Sequence, residues 1–254
     1  MDISSLAGII IGVLAVGVGM VLKGVALDNL LNPAAFLIII MGTVGAVTIA
    51  TPMNELKNIG RLFGIIFGGT KFMSPQEAIE KILEFAEMAR REGLLVLEAR
   101  IADESDPFLT RGLQLLVDGV DSDQLAESME ADIAAMEGRH AANANIFTQA
   151  GTYAPTLGVL GAVLGLIAAL GNMEDTEALG HAIAAAFIAT LLGIFTGYVL
   201  WHPMANKLKR KTKQEVLVRT IIMEGIVGIC RGMNPRMLKD NLSNYISARE
   251  RETS

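Results

Sequence analysis

The side chains that could do chemistry in this chain stand apart from one another. His140, His181 and His202 are scattered over the second half of the 254 residues, and Cys230 is the single cysteine. A nucleophile needs a base within hydrogen-bond reach, and a zinc ion needs three or four nitrogen or sulfur ligands. The spacing offers neither. No G-x-x-x-x-G-K-[ST] phosphate loop, HExxH or CxxC occurs. One cysteine excludes an internal disulfide and gives no metal pattern. The sequence therefore argues against an enzyme, and no cofactor or metal is expected. What remains is hydroxyl chemistry. Thr156 and Thr190 stand inside long apolar runs. A hydroxyl there can line a water path but cannot hold a proton near neutral pH.

The elements that must position these groups are membrane helices. Hydrophobic residues make up 52% of the chain and charged residues only 19%, where a soluble domain carries about 25%. The mean hydropathy is +0.45. Residues 4–22, 33–53 and 141–173 carry no charge, and 178–206 hold only two histidines. A bilayer needs about 20 apolar residues per helix, so four spans fit. We place them at 4–24, 33–53, 151–171 and 181–203. The expected class is all-α: an integral membrane protein with four transmembrane helices and a helical cytoplasmic domain at 54–150, followed by cytoplasmic C-terminal helices at 204–254. The first run lacks the basic flank and the Ala-x-Ala site of a cleaved signal peptide, so it is read as a retained span.

Orientation follows from Lys and Arg. Lys207, Lys209, Arg210, Lys211 and Lys213 follow the fourth span, whereas the link "NMEDTEA" before it has neither. Positive-inside counting puts the end of the fourth span in the cytoplasm, and with four spans both termini and 54–150 join it. The basic cluster serves as that topological anchor, with anionic lipid as a further attraction. From Glu55 to His140 there are 17 acidic against 9 basic residues, a net charge of −8. An acidic domain argues against nucleic acid, whose phosphates require a basic face.

Helix signals punctuate the middle segment. Ser74-Pro75-Gln76-Glu77 reads as a capping box with proline at the first helical position. Gly93 is placed to end that helix. "LLVLEARI" at 94–101 continues as a short helix, Asp106-Pro107 opens another, and Asp121 or Asp123 caps a longer one running into the third span. After the basic cluster a further helix reaches Gly232, and Asn234-Pro235 opens a last one.

The spans lack any Asp, Glu, Lys or Arg at mid-depth. Such groups cost about 2.5–3.5 kcal/mol there and mark ion paths when present. Gly158, Ala162, Gly165 and Ala169 fall at i, i+4, i+7 and i+11, one face of small residues that lets another helix approach closely in lipid. That face packs within the bundle, or it receives a helix from a different subunit that brings the missing carboxylate. Pro155 opens the span as a candidate hinge.

The stretches "QAGTYAPTLGVLGAVLGLIAAL", "HAIAAAFIATLLGIFTGYVLWHPMANKLKRK" and "EMARREGLLVLEA" resemble the MotA/PomA family of flagellar motor stator subunits, in the form found in Bacillus-like Gram-positive bacteria. The resemblance covers nearly the whole chain, including "GMVLKGV" and "NPAAFLIIIMGT". It implies a plasma-membrane protein at the flagellar basal body, five copies ringing two copies of MotB. MotB would supply a proton-accepting aspartate and a peptidoglycan anchor, and ion flow would turn the rotor through FliG. It assigns the rotor contact to Arg90 and Glu98, with Arg91, Glu92 and Glu137 as neighbours in that role. It couples Pro155 and Pro203 to ion flow, and Pro235 aligns with a proline of the cytoplasmic tail. Sodium-driven relatives carry a threonine where this chain has Ala162, and "TTLYG" where it has "ATLLG", which keeps Thr190 alone. H+ is thus the expected ion ahead of Na+. Some relatives have an aspartate where this chain has Thr152. Two other readings stand beside this one: an energiser of the ExbB or TolQ type, and a stand-alone channel or membrane scaffold.

Overall fold

The computed structural model describes residues 3–30, 32–69, 72–171 and 175–247, and these are helix or short connection throughout. The α-helices of five residues or more are α1 (Ile3–Leu22), α2 (Pro33–Ala50), α3 (Ile59–Phe67), α4 (Pro75–Glu92), α5 (Leu97–Ile101), α6 (Pro107–Val117), α7 (Ser122–Leu170), α8 (Thr176–Cys230) and α9 (Pro235–Leu242). Four of them, α1, α2, α7 and α8, are long and apolar enough to cross a membrane. The third and fourth spans are thus segments of helices 49 and 55 residues long. Of the acidic link before the fourth span, residues 172–174 lie outside the described residues.

The chain divides into two compact units, Met1–Gly69 with His140–Lys209, and Thr70–Arg139 with Arg210–Ser254. The membrane unit therefore takes in 54–69 and 140–150, stretches that the sequence reading grouped with the cytoplasmic domain. The reason is visible in the side chains. On α3, Leu62 and Ile66 are buried, and Phe63 meets Phe147 of α7 edge-on at 5.4 Å between centroids. Phe147 and Trp201 of α8 stand 6.2 Å apart. An amphipathic α3 thus packs on the span-proximal turns of α7 and α8.

Most apolar side chains of the spans face outward: Leu22 is 82% exposed, Ile49 90% and Phe187 72%. Such surface belongs against lipid or against other subunits.

The second unit has an ordinary apolar core. Ile82, Leu97, Leu109, Leu113, Leu125 and Ile221 are completely buried in one cluster. Its helix starts follow the sequence signals. Ser74 Oγ accepts from Glu77 N–H at 3.2 Å, and Glu77 Oε2 accepts from Ser74 N–H at 2.6 Å. That hydrogen bond from the Ser74 backbone is the main reason the Glu77 carboxyl sits below its usual range. Asp106 accepts from Phe108 and Leu109 N–H, and Asn234 from Arg236 N–H. Of the two candidate caps for α7 it is Asp121 that serves, accepting from Asp123 and Gln124 N–H.

Candidate functional site: a glycine-lined helix pair and a charged surface segment

Along the third span, Gly151, Ala154, Gly158, Gly161 and Ala169 are buried, while Thr152, Thr156, Val159, Val163 and Ile167 are exposed. The buried strip meets the fourth span of the same chain. A Cβ placed on Gly158 would stand 2.8 Å from the Ala189 carbonyl oxygen and 3.0 Å from Gly193 Cα. One on Gly193 would stand 2.7 Å from the Ala154 carbonyl oxygen, and one on Gly165 3.3 Å from Ala186 Cβ. At Gly158 and Gly193 only hydrogen fits, and it points at a carbonyl in the manner of a Cα–H···O contact, whereas at Gly165 the fit is tight against a methyl group. The face containing Gly158 and Gly165 is therefore occupied from within the chain. The alternative in which it receives a helix of a different subunit is corrected: small residues let the chain's own fourth span close on it. Ala162 lies on the flank of this strip and is half-buried, and Ala169 is buried.

Pro155 sits inside α7 and is half-buried. Lacking an N–H, it cannot donate to the Gly151 carbonyl four residues earlier. Gly197 closes over that spot: a Cβ there would lie 2.8 Å from both Gly151 O and Pro155 Cγ. A Cβ on Gly151 would in turn strike the His202 ring at 2.8 Å. The turn holding Pro155 thus abuts 197–202, immediately before Pro203. The helix widens into a π-helical turn at Thr196–Trp201. A wider turn gives the Pro203 ring room beside the Val199 carbonyl that it would otherwise strike. Pro203 itself is exposed. The structure accordingly seats Pro155 against Gly197, six residues and about 9 Å before Pro203 along α8 at 1.5 Å per residue.

Hydroxyls here bond to their own helices. Thr190 Oγ1 donates to Ala186 O at 3.4 Å, Thr152 Oγ1 to Thr148 O at 3.0 Å, and Thr156 Oγ1 to Thr152 O at 3.4 Å. Thr190 is half-buried, whereas Thr152 and Thr156 lie on the exposed face of α7. No group of three or more metal-ligating side chains occurs among the described residues. Cys230, half-buried in the other unit, has its thiol pushed up mainly by burial. A protonated thiol is a poor nucleophile.

In the second unit, α4 ends at Gly93, whose φ of 85° is a conformation that favours glycine. The bend separates Arg90, Arg91 and Glu92 from the following Leu94–Val96 turn and α5. Leu97, completely buried, anchors α5, so its neighbour Glu98 is held at the surface. Arg90, Glu92, Glu98 and Glu137 are all exposed, and none of them forms an ion pair with a described residue. Arg91 stands 3.6 Å from Glu87 one turn earlier. Glu137 lies on α7 and shares no hydrogen bond or ion pair with Arg90 or Glu98 among the described residues. Pro235 is the first residue of α9.

Beneath this surface a charged clamp fixes the segment. Lys81 Nζ donates to both Glu104 oxygens, at 2.9 and 2.6 Å, and the N–H groups of Ser105 and Asp106 donate to Oε1. The Glu104 side chain is only 5% exposed. Burial raises its pKa, but the hydrogen bonds from Lys81 and the two backbone groups outweigh burial and hold the carboxyl below its usual range.

Sequence reasoning missed Gly151, Gly193, Gly197 and Glu104. For the glycines the signal was available: Ala186, Ala189, Gly193 and Gly197 form a small-residue register on the fourth span, matching the one on the third.

Comparison with known proteins gives this geometry a family. Residues 6–93 match the motility protein A N-terminal model, and 100–220 match the MotA/TolQ/ExbB proton channel family. Motility protein A of Bacillus subtilis is 55% identical over 251 residues, covering 99% of this chain and 93% of the relative. The chemotaxis protein PomA of Vibrio alginolyticus is 34% identical over 99% of this chain and 98% of its own length. The solved flagellar MotAB stator complex of Bacillus subtilis superposes with a TM-score of 0.94 at 55% identity, covering 99% of both chains. The chain belongs to the motility protein A family, the flagellar stator branch of the MotA/TolQ/ExbB proton channel family, as a membrane-spanning subunit and not an enzyme.

Proposed function

We propose that this chain forms, with a MotB-type partner, the proton-conducting stator of a flagellar motor, and that it drives the rotor through FliG. The observation that carries the reading is the chemistry of the spans. They offer hydroxyls and small residues but no carboxylate at mid-depth, so the titrating acid must come from another chain. A solved relative assembled as a MotAB complex supports MotB as that chain. The exposed face of α7, with Thr152, Thr156, Val159 and Val163, is the surface we assign to the partner helix, and five copies around two partner helices is the assembly expected of the family.

Both termini are assigned to the cytoplasm. Lys207, at the end of the fourth span, donates to Ser4 Oγ at 3.2 Å at the start of the first, which supports one side of the membrane for both. Protons are the assigned ion. Sodium needs several oxygen ligands, and Ala162 removes one hydroxyl where Thr190 keeps another.

Each proton crossing releases about 2.3 kcal/mol per 100 mV. Neutralising the partner's carboxylate removes a charge from the conduit wall, and the helices around it change their preferred packing. Pro155, in the contact between the third and fourth spans, and Pro203, just after the widened turn of α8, pass the change along α7 and α8. Arg90 and Glu98 then meet complementary charges on FliG, with Arg91, Glu92 and Glu137 beside them. Exposed pairs contribute about 0.2–1 kcal/mol each, weak enough to release at every step.

Swimming of cells dependent on this chain tests the ion assignment. Motility should collapse with a protonophore and persist without sodium; sodium-dependent, protonophore-resistant swimming would overturn it.

A further inference from the structure

One titratable side chain of the fourth span has no part in the mechanism above. His202 is half-buried, directly after the widened turn Thr196–Trp201. Its ring nitrogens form no hydrogen bond or ion pair with a described residue. The ring is nevertheless held by two contacts. A Cβ on Gly151 would stand 2.8 Å from Cγ, 2.8 Å from Cδ2 and 2.9 Å from Cε1 of the imidazole. Near-equal distances to three atoms spread around a ring mean that the ring lies face-on over Gly151. Tyr198, four residues earlier on α8, stands 5.3 Å away between ring centroids at an angle of 48°. Both contacts engage the ring as a surface and leave its two nitrogens without a partner among the described residues.

His202 also stands where a proton must pass from the conduit to the side of the basic run. It follows Thr190 by 12 residues and precedes Lys207 by five, about 18 Å and about 8 Å along the helix. Thr152, on the face of α7 assigned to the partner helix, follows Gly151 directly. On α7, the element packed against the ring, residues 141–171 hold no acid or base except Tyr153. On its own helix, residues 178–206 hold only His181, Tyr198 and His202. Imidazole is the one side chain whose ordinary charge change falls between about pH 5 and 8. His181 lies at the opposite end of the span, 4.0 Å from Glu177. Within the third and fourth spans, His202 is therefore the one imidazole at the exit end.

We propose that His202 is the last proton-accepting group on the cytoplasmic side of the conduit. The neutral imidazole takes a proton at its unprotonated nitrogen, delivered through water from the partner's carboxyl group, which returns to carboxylate. The imidazolium then gives a proton to cytoplasmic water and is neutral again. Gly151 is the positioning residue, since any side chain there would lift the ring from α7. The inference rests on the proton-stator reading and adds to it a relay on this chain; the acid at mid-depth still belongs to the partner.

The test uses the full chain assembled with its partner subunit in vesicles, with proton flux driven by an imposed potential. The pH on the cytoplasmic side is lowered from about 8 to about 5, the interval over which histidines change charge. An acceptor must be neutral, so flux through the unaltered complex should be greatest at the high-pH end and fall as the imidazole fills. His202→Gln should lower flux at the high-pH end about 100-fold, the lower end of what a positioned proton acceptor contributes, and flatten the profile. In His202→Ala, imidazole added on the cytoplasmic side should restore flux, which a merely structural role would not permit. His181→Gln should leave the cytoplasmic pH dependence unchanged. A flat profile in the unaltered complex, a result that needs no variant, would overturn the proposal. So would undiminished flux in His202→Gln, or a loss in His202→Ala that is equal at every pH and unrelieved by imidazole. An unaltered complex that passes no protons at any pH would overturn the stator reading itself, and this relay with it.

Discussion

The two units of this chain are held together by opposite means. In the membrane unit the third and fourth spans approach until glycine hydrogens touch carbonyl oxygens, at Gly158, Gly193 and Gly197. Large side chains on those helices, such as Ile167 and Phe187, point outward. In the second unit large side chains point inward, and charges cover the outside. The contrast follows from solvent. In lipid there is no hydrophobic gain from hiding a leucine, so helices associate through close packing of small residues. In water the same gain dominates, and the surface is left to charges. Under the proposed function the difference also separates roles: the first unit would bring backbones together around a conduit that lacks its own acid, and the second would present charges to the rotor.

Substitutions that ignore each region's logic should therefore hurt most. Gly193→Leu drives a side chain into the Ala154 carbonyl and the Gly158 backbone, neither of which can yield. A cost of about 3 kcal/mol or more is expected, at the upper end for overpacking. Membrane levels of the chain and its co-purification with the partner should both fall, whereas a leucine at the exposed Gly19, with open space around it, should leave them intact.

The second unit should respond to charge instead. Glu104→Gln weakens the link to Lys81 and should destabilise the α4–α5 region by about 1.5–3 kcal/mol. Faster hydrogen exchange there, with the spans unaffected, would register it. The same carboxyl gives a pH dependence. Its folded pKa lies below the ordinary value of 4.5, so its contribution is fully present above that value and is lost as pH falls below it. Protection of α4–α5 should decline on acidification below pH 4.5 in the unaltered chain and be flatter in Glu104→Gln.

Reversing Arg90 to Glu together with Glu98 to Lys turns weak attractions into repulsions. Rotor affinity should fall about 2- to 30-fold while assembly is preserved, and matched reversals on FliG should restore torque. Normal swimming in the doubly reversed strain would remove these residues from the rotor contact. The smallest effect belongs to Ser74→Ala, which deletes one half of the capping box and should cost about 1 kcal/mol, measurable as fraying of the first turn of α4.

Much of this was legible in the sequence, for identifiable reasons. Charge-free runs of about 20 residues gave the spans, and the caps at Ser74, Asp106 and Asn234 gave helix starts, because both signals are local. Gly93 marked the bend beside Glu98 for the same reason. The destination of the small-residue face was not local. Gly158 and Gly165 form a strip in either case, and only the folded chain shows that Gly193 and Ala186 fill it. The Lys81–Glu104 clamp joins residues 23 positions apart, and nothing in the spacing distinguishes Glu104 from the many acids around it. The assignment of 54–69 and 140–150 to the membrane unit likewise rests on Phe63 meeting Phe147, a contact across more than 80 residues.

One measurement bears most directly on the conduit that borrows its acid. Vesicles carrying an internal pH dye would be loaded with this chain alone, with the chain and its partner, or with the chain and a partner whose intramembrane carboxylate is changed to an amide. Proton flux under an imposed potential should appear only in the second case. Flux through the chain alone, or through the amide form at an undiminished rate, would contradict the claim that the titrating group lies on another subunit.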